Sequence, residues 1–299
     1  MTDTRPVAFL GLGAMGAPMS QRLLDAGITV TGFDPRESAR ATLVAAGGLA
    51  ADTAAAAVAA GAVVILTLPD STVVESTLAD PAVRAAVRPG TTIIDMSSSD
   101  PVSTRRLAAE WAARAVTFLD APVSGGVDGA RTGTLTIMCG GPDAAVDAVA
   151  GLLGALGTPR RVGPIGAGHA LKAVNNLLAG VHLLAAAEAL AIVRRFGLDP
   201  DLILPVLNAA SGRSAATEEK LPRFVVPETY DSGFALALML KDMRIATALA
   251  ATLGAAAALG DSAVDVWARA AADLGPGADQ TEIARWIQNS GSVIRVRLT

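Results

Sequence analysis

The sequence predicts an α/β protein: a doubly wound sheet in the first half, an all-α second half, and a long helix joining them. Three observations carry this. Short apolar runs alternate with helical stretches from Val7 to about Val162. From Gly168 onward almost no strand pattern remains. Between the halves lies GAGHALKAVNNLLAGVHLLAAAEALAIVRRFG, Gly166–Gly197, proline-free and dominated by the strong helix formers Ala and Leu. At ~1.5 Å per residue, a helix from about Gly168 to Phe196 runs on the order of 40 Å. The domain boundary falls near residue 165, giving domains 1–165 and 166–299.

Val7–Leu10 is wholly apolar, as a strand buried on both faces is. It enters GLGAMG, the residues Gly11, Leu12, Gly13, Ala14, Met15 and Gly16. An amphipathic helix follows to about Ala26, then a second strand, Thr29–Phe33, ending in Asp34. This is the G-x-G-x-x-G dinucleotide fingerprint in its strand–turn–helix context, with an acid near the ~20-residue spacing it requires. Gly11 makes the tight turn, Gly13 lets the backbone approach a pyrophosphate, and Gly16 lets helix and strand pack closely. Asp34 suits the ribose 2′-OH of NAD and repels a 2′-phosphate. Arg36, two residues on, could swing toward such a phosphate, so NADP stays possible beside NAD.

The alternation continues with strands at Val63–Leu68, Thr92–Asp95, Val116–Leu119, Leu135–Cys139 and Thr158–Val162, and helices from Pro101 and Pro142. A parallel, Rossmann-type doubly wound sheet is expected. Loops after such strands lie where ligands bind. Leu68–Pro69, Ser97–Ser99 and Ser124–Gly126 are therefore candidates to face the cofactor. A serine in such a loop is often only a helix cap. Ser124 differs because Gly125 and Gly126 follow it. Together they offer a hydroxyl and open N–H groups, a cradle for a carboxylate or oxyanion.

In the long helix the polar residues gather at the start: His169, Lys172, Asn175 and Asn176. Lys172 and Asn176 are four apart and share a face. Gly197 is a natural stop, with Arg194 and Arg195 in the last turn. Beyond it, Pro200–Ala210 reads as helix, SGRSAATEEK as a polar loop, and Leu221–Gly233 as a proline-bearing stretch. Helices then fall near Phe234–Leu253, Asp261–Leu274 and Thr281–Asn289.

Composition bounds the rest. The chain has 299 residues, is 52% hydrophobic and carries a net charge of −4 without a basic run. Sequence-independent nucleic-acid binding has no electrostatic footprint. One cysteine, Cys139, allows no intrachain disulfide, and the two histidines and one cysteine make no zinc pattern. No metal site is expected. The N-terminal apolar run is too short for a signal peptide, and Ala179–Val193 falls short of a membrane span. A cytoplasmic protein that binds no membrane is expected. The second half's helices are apolar around much of their circumference, which predicts a homodimer or homotetramer through that half.

Four motifs in order make the chain resemble the β-hydroxyacid dehydrogenases, the group of 3-hydroxyisobutyrate dehydrogenase, tartronate semialdehyde reductase and L-threonate dehydrogenase. G-L-G-x-M-G-x-P-M is met by Gly11–Met19, and D-A-P-V-S-G-G by Asp120–Gly126. G-x-G-x-x-x-K-x-x-x-N is met by Gly166, Gly168, Lys172 and Asn176. K-D-L-x-L-A appears as Lys241–Ala246, with Met243 and Ile245 as departures. The resemblance implies that Lys172 is the catalytic acid/base and that Asn176 supports it and the substrate. It implies that Ser124, Gly125 and Gly126 hold the substrate carboxylate, and that Ser98 and Lys241 contact the cofactor.

The reaction implied is reversible oxidation of a hydroxyl β to a carboxylate in a small hydroxyacid, with a nicotinamide cofactor. The base must be a neutral amine, and an ordinary lysine titrates near ~10.4, so burial or a second cation such as Lys241 would have to lower it. His169, one turn earlier, is a rival base. Phe234, the Ser211–Thr217 loop and the 175–182 turns are expected to read the substrate's side chain. Leu178 and Phe234 suit a methyl-bearing acid, whereas LLAGVH resembles the threonate branch. Two other classes compete. An imine reductase of the same fold usually lacks the lysine, and an idle nucleotide-binding module would lack it or interrupt Ser-Gly-Gly.

Overall fold

The computed structural model describes residues 5–289. Met1–Thr4, part of the stretch read for a leader, lie outside the described residues. The chain divides in sequence between Lys172 and Ala173 into two compact units.

The first unit opens with β1 (Val7–Leu10), α1 (Gly16–Asp25), β2 (Val30–Phe33), α2 (Glu37–Ala45), β3 (Leu49–Ala50) and α3 (Ala54–Ala60). Next come β4 (Val63–Leu66), α4 (Ser71–Ala79), α5 (Pro81–Ala86), β5 (Thr92–Asp95), α6 (Pro101–Ala112) and β6 (Thr117–Asp120). It closes with β7 (Val123–Ser124), α7 (Gly126–Thr132), β8 (Leu135–Gly140), α8 (Asp143–Gly154) and β9 (Gly157–Gly163). Among the described residues these strands form one sheet in the order β3-β2-β1-β4-β5-β6-β8-β7, with β9 on β8.

The central strands β1, β4 and β5 show no polar alternation because both of their faces are covered. Val7, Phe9, Val63, Ile65 and Ile94 point into one core, and Ala8, Leu10, Val64, Leu66 and Ile93 into another. Helix starts follow local chemistry. Pro101 opens α6, and the Asp100 carboxylate accepts the Val102 N–H at 2.7 Å. The doubly wound class holds, but the parallel run stops at β6. β7 continues in the direction of β6 and pairs Ser124 with Thr136, and the chain reverses before β8, so β8 runs antiparallel to both β6 and β7. Two residues of strand are too few to show as an apolar run.

α9 (Ala167–Arg195) begins in the first unit and continues into the second. The second unit adds α10 (Pro200–Ala209), a π-helix (Ala216–Val225), α11 (Leu236–Leu253), α12 (Ala258–Leu274) and α13 (Glu282–Asn289). Its core gathers Leu183 and Leu190 of α9, Met243 of α11, Trp267 of α12 and Ile283 of α13. The π-helix corrects the loop expected over SGRSAATEEK. Ser214 and Thr217 cap one another, with Ser214 N–H on Thr217 Oγ1 at 2.8 Å and Thr217 N–H on Ser214 Oγ at 3.3 Å. Thr217, Leu221 and Val225 then line one buried stripe. A second correction concerns length. α9 extends on both sides of Ala179–Val193 and, by length and composition alone, could cross a membrane.

Candidate active site

In the first unit, the glycines of the β1–α1 turn serve packing and access separately. Gly11 has a φ of +94°, and a Cβ there would meet the Thr67 carbonyl oxygen at 2.4 Å. A Cβ on Gly16 would meet the Gly11 carbonyl oxygen at 1.9 Å. Helix and strand can approach this closely only over a glycine. Gly13 is open, with nothing nearer than an Arg36 nitrogen at 3.9 Å from a Cβ there. Gly11, Leu12 and Gly16 are buried, Gly13 and Met15 half-buried, and Ala14 exposed. α1 starts without a side-chain cap and without an acid in its first turn. Its first N–H groups are thus suited to phosphate. Thr67, which the sequence did not single out, locks the turn by donating its hydroxyl to the Gly11 carbonyl at 2.6 Å.

Asp34 stands at the end of β2, buried. Its carboxylate accepts the Leu12 N–H at 2.9 Å and the Arg36 N–H at 2.9 Å. The Arg36 guanidinium adds contacts of 3.0 and 3.1 Å. Burial by itself would raise the carboxyl, but these hydrogen bonds outweigh it and hold Asp34 below its ordinary value. Arg36 is exposed, and its partner raises it. An open glycine turn, an uncapped helix start and an ionised acid at the second strand's end fit a dinucleotide.

The other loops sit where the sheet's carboxyl edge puts them. Leu68 is half-buried and Pro69 exposed. The Leu68 N–H donates to Ser97 Oγ at 2.9 Å, tying the loop after β4 to the loop after β5. Ser98 is half-buried between buried Ser97 and Ser99. Ser124 is half-buried, and Gly125 and Gly126 are exposed with φ of +130° and +62°.

Asp120, first residue of the Ser124 motif, was not among the expected site residues. It is fully buried and accepts the Gly166 N–H at 2.8 Å and the His169 N–H at 2.9 Å. The start of α9 is therefore fastened to the end of β6. A Cβ on Gly168 would meet the Met138 carbonyl oxygen at 2.2 Å, which explains the second glycine of that motif. His169 is buried with its Nδ1 2.7 Å from Thr104 Oγ1. Its ring faces Thr104 of α6 and the carboxylates that end β5 and β6, not solvent, which speaks against the rival reading of it as the base. Lys172, one turn on, is half-buried.

In the second unit, Asn176 is buried and donates its amide to Asp242 Oδ2 at 2.6 Å. Lys241 Nζ lies 2.8 Å from the other oxygen of Asp242. One buried carboxylate thus holds both expected polar residues of this unit. Asp242 was missed, although an acid inside LALMLKDMRIATALA is itself a signal that it has partners. Phe234 is half-buried and packs on the core, and its backbone bonds to Asp279 and Gln280. Among the described residues no group of three or more His, Cys, Asp or Glu could hold a metal ion.

A two-unit chain of a dinucleotide-binding sheet and a set of helices, with a lysine-bearing helix fastened at Asp120, the first residue of the Ser-Gly-Gly motif, fits a nicotinamide-dependent dehydrogenase. The NAD-binding domain of 6-phosphogluconate dehydrogenase matches residues 6–167. The NAD-binding domain of NADP-dependent 3-hydroxyisobutyrate dehydrogenase matches residues 166–287. The 2-(hydroxymethyl)glutarate dehydrogenase of Eubacterium barkeri is 40% identical over 248 residues, 82% of each chain. The Mycobacterium tuberculosis 3-hydroxyisobutyrate dehydrogenase, solved with L-serine, is 36% identical with a TM-score of 0.88. That match covers 96% of this chain and 100% of the other. The chain belongs to the β-hydroxyacid dehydrogenase family and is an NAD(P)-dependent hydroxyacid oxidoreductase. A Streptomyces aurantiacus imine reductase, 24% identical at a TM-score of 0.65 over 95% and 99% of the two chains, shares the fold alone.

Proposed function

We propose that the enzyme interconverts a small 3-hydroxy acid, 3-hydroxyisobutyrate-like, and its semialdehyde, with Lys172 as general acid/base. The observation that carries this is Asp120. It fastens the end of β6, four residues before Ser124, to the first turn of the helix that bears Lys172. When bound, the nicotinamide takes up or returns the hydride at the carbinol carbon. Lys172 Nζ, as a neutral amine, takes the hydroxyl proton during oxidation and returns it during reduction. Ser124 Oγ and the N–H groups of Gly125 and Gly126 hold the substrate carboxylate. Asn176, kept in place by Asp242, supports lysine and substrate. The Gly11–Gly16 turn, Leu68, Pro69, Ser98 and Lys241 contact the cofactor. Asp34 favours NAD, and Arg36 beside it leaves NADP admissible. Residues 1–165 bind the nucleotide, and 166–299 serve substrate and assembly.

The substrates in the relatives' names share one fragment. 2-(Hydroxymethyl)glutarate, 3-hydroxyisobutyrate and L-serine each carry a hydroxymethyl group on the carbon next to a carboxylate. They differ in the third substituent: propionate, methyl or ammonium. The invariant fragment matches the Lys172 and Ser124–Gly126 chemistry, and Phe234 favours an apolar substituent. The partners are then the hydroxyacid and further copies of this chain in a cytoplasmic dimer or tetramer, without nucleic acid or membrane. α9 serves as a core helix, since Leu183, Ala187 and Leu190 are buried among its neighbours in the second unit. Turnover should be measured on the three acids, L-threonate and a cyclic imine, each with NAD and NADP. Imine reduction without hydroxyacid turnover, or no turnover at all, would overturn the assignment.

A further inference from the structure

Where β5 and β6 end lies a buried polar cluster whose imidazole the proposed chemistry does not use. Asp95 and Asp120 end neighbouring strands β5 and β6 and are partners in register. Both are at most 1% exposed, as are Thr104 of α6 and His169 of α9. The imidazole lies between the two carboxylates: Nε2 is 3.8 Å from Asp95 Oδ2 and Nδ1 is 4.0 Å from Asp120 Oδ2. The hydrogen-bond order around Thr104 fixes its orientation. The Thr104 hydroxyl donates to the Asp100 carbonyl at 2.9 Å, so its oxygen accepts from His169 Nδ1–H at 2.7 Å. Nε2 has no hydrogen-bond partner, which is a costly position for a buried ring nitrogen unless the site needs the ring there.

The cluster also reaches the loops that bear the site residues. Asp95 accepts the Ser97 N–H at 3.0 Å and the Ser99 hydroxyl at 2.8 Å, and so holds the loop that carries Ser98. Asp120 leads directly into the Ser124 loop and caps the start of α9. His169 is part of α9 itself, one turn before Lys172.

We propose that His169, with Asp95, Asp120 and Thr104, is a positioning cluster that sets where Lys172 stands relative to the Ser98 and Ser124 loops. The proposal rests on Lys172 as the acid/base. His169 is a positioning residue, not a catalytic one, since its ring is enclosed by these side chains.

The test uses the full chain and whichever hydroxyacid of the panel it turns over. Thr104→Val removes the hydroxyl that orients the imidazole while keeping the side chain's shape, and Thr104→Ser restores the hydroxyl. His169→Leu removes the ring. Thr104→Val and His169→Leu should lower kcat about ten- to a hundredfold, the scale of a misplaced reacting group. NADH affinity, read by fluorescence titration, should stay within about twofold, because both variants leave Asp95 and its bonds to Ser97 and Ser99, and with them the Ser98 loop, in place. KM for the hydroxyacid should move less than kcat, and Thr104→Ser should recover most of the rate. If His169→Leu fails to fold, the Thr104 pair decides alone. Unchanged kcat in Thr104→Val would overturn the proposal. So would a loss of kcat matched by loss of NADH affinity and thermal midpoint, because the cluster would then be a structural support only. Lys172→Ala separates the two levels. If it is inactive while Thr104→Val is fully active, only the cluster proposal fails. If it is fully active, the acid/base assignment fails first.

Discussion

In the proposed function Lys172 and Asp34 carry the two chemical decisions, and each can be tested singly. Lys172→Ala should lower kcat by about 10²–10⁴, the usual worth of a general base, with NAD affinity nearly unchanged. A collapse of NAD affinity along with kcat would make Lys172 a structural or cofactor residue. Asp34 is more entangled than its position implies, because Arg36 already occupies both of its oxygens. NAD must share that carboxylate with the guanidinium, whereas a 2′-phosphate would take the guanidinium away from it. Asp34→Ala should therefore raise KM for NAD about tenfold or more, the loss of a charged hydrogen bond of ~1.5–3 kcal/mol. KM for NADP should stay level or fall. A wild-type enzyme that already prefers NADP would transfer the selective role to Arg36. At this scale the sequence revealed residues whose chemistry is local, such as the glycine turn and the lysine. It did not reveal Asp120 or Thr104, whose partners in α9 lie 49 and 65 positions away along the chain. Such contacts exist only once the sheet has formed.

α9 is the element on which these residues converge, and its first turn is held by backbone proximity as much as by hydrogen bonds. At Gly168 the helix passes so near β8 that a methyl group would sit 2.2 Å from the Met138 carbonyl oxygen. That atom belongs to a strand paired to its neighbours and cannot retreat cheaply. Gly168→Ala should destabilise the protein by about 1–3 kcal/mol, the range for overpacking, despite alanine's better helix propensity. Urea denaturation read by far-UV circular dichroism checks the sign; a stabilised variant would show that the helix can shift outward. The helix itself was legible because a stretch of 29 residues without proline, about half of them Ala and Leu, allows little else. The π-helix was not. Pro222 and the run of polar residues at its start read as a loop, and the mutual capping of Ser214 and Thr217 is what turns them into helix. β7 escaped notice for a similar reason, since its two residues become strand only by pairing with β8.

At the scale of the molecule, the second unit leaves large apolar side chains in water. Ile192 is 68% exposed, Phe196 82%, Leu202 73% and Val206 67%. They lie close together in sequence, at the end of α9 and along α10. Single exposed leucines are ordinary on a protein surface, but four large apolar side chains exposed within residues 192–206 are not, even with Arg194, Arg195, Asp199 and Asp201 among them. Full burial of each such side chain contributes roughly 1.5–3 kcal/mol, a total of the same order as the entropy cost of association. A second copy under two-fold symmetry is the simplest partner, since the same patch then covers itself. Sedimentation at micromolar concentration should show a dimer or larger species of the 30.0 kDa chain. The double variant Phe196→Glu with Leu202→Glu should shift it toward monomer, because burying two unpaired carboxylates opposes association. A wild-type protein that sediments as one species near 30.0 kDa would remove the oligomer and leave these side chains without a partner.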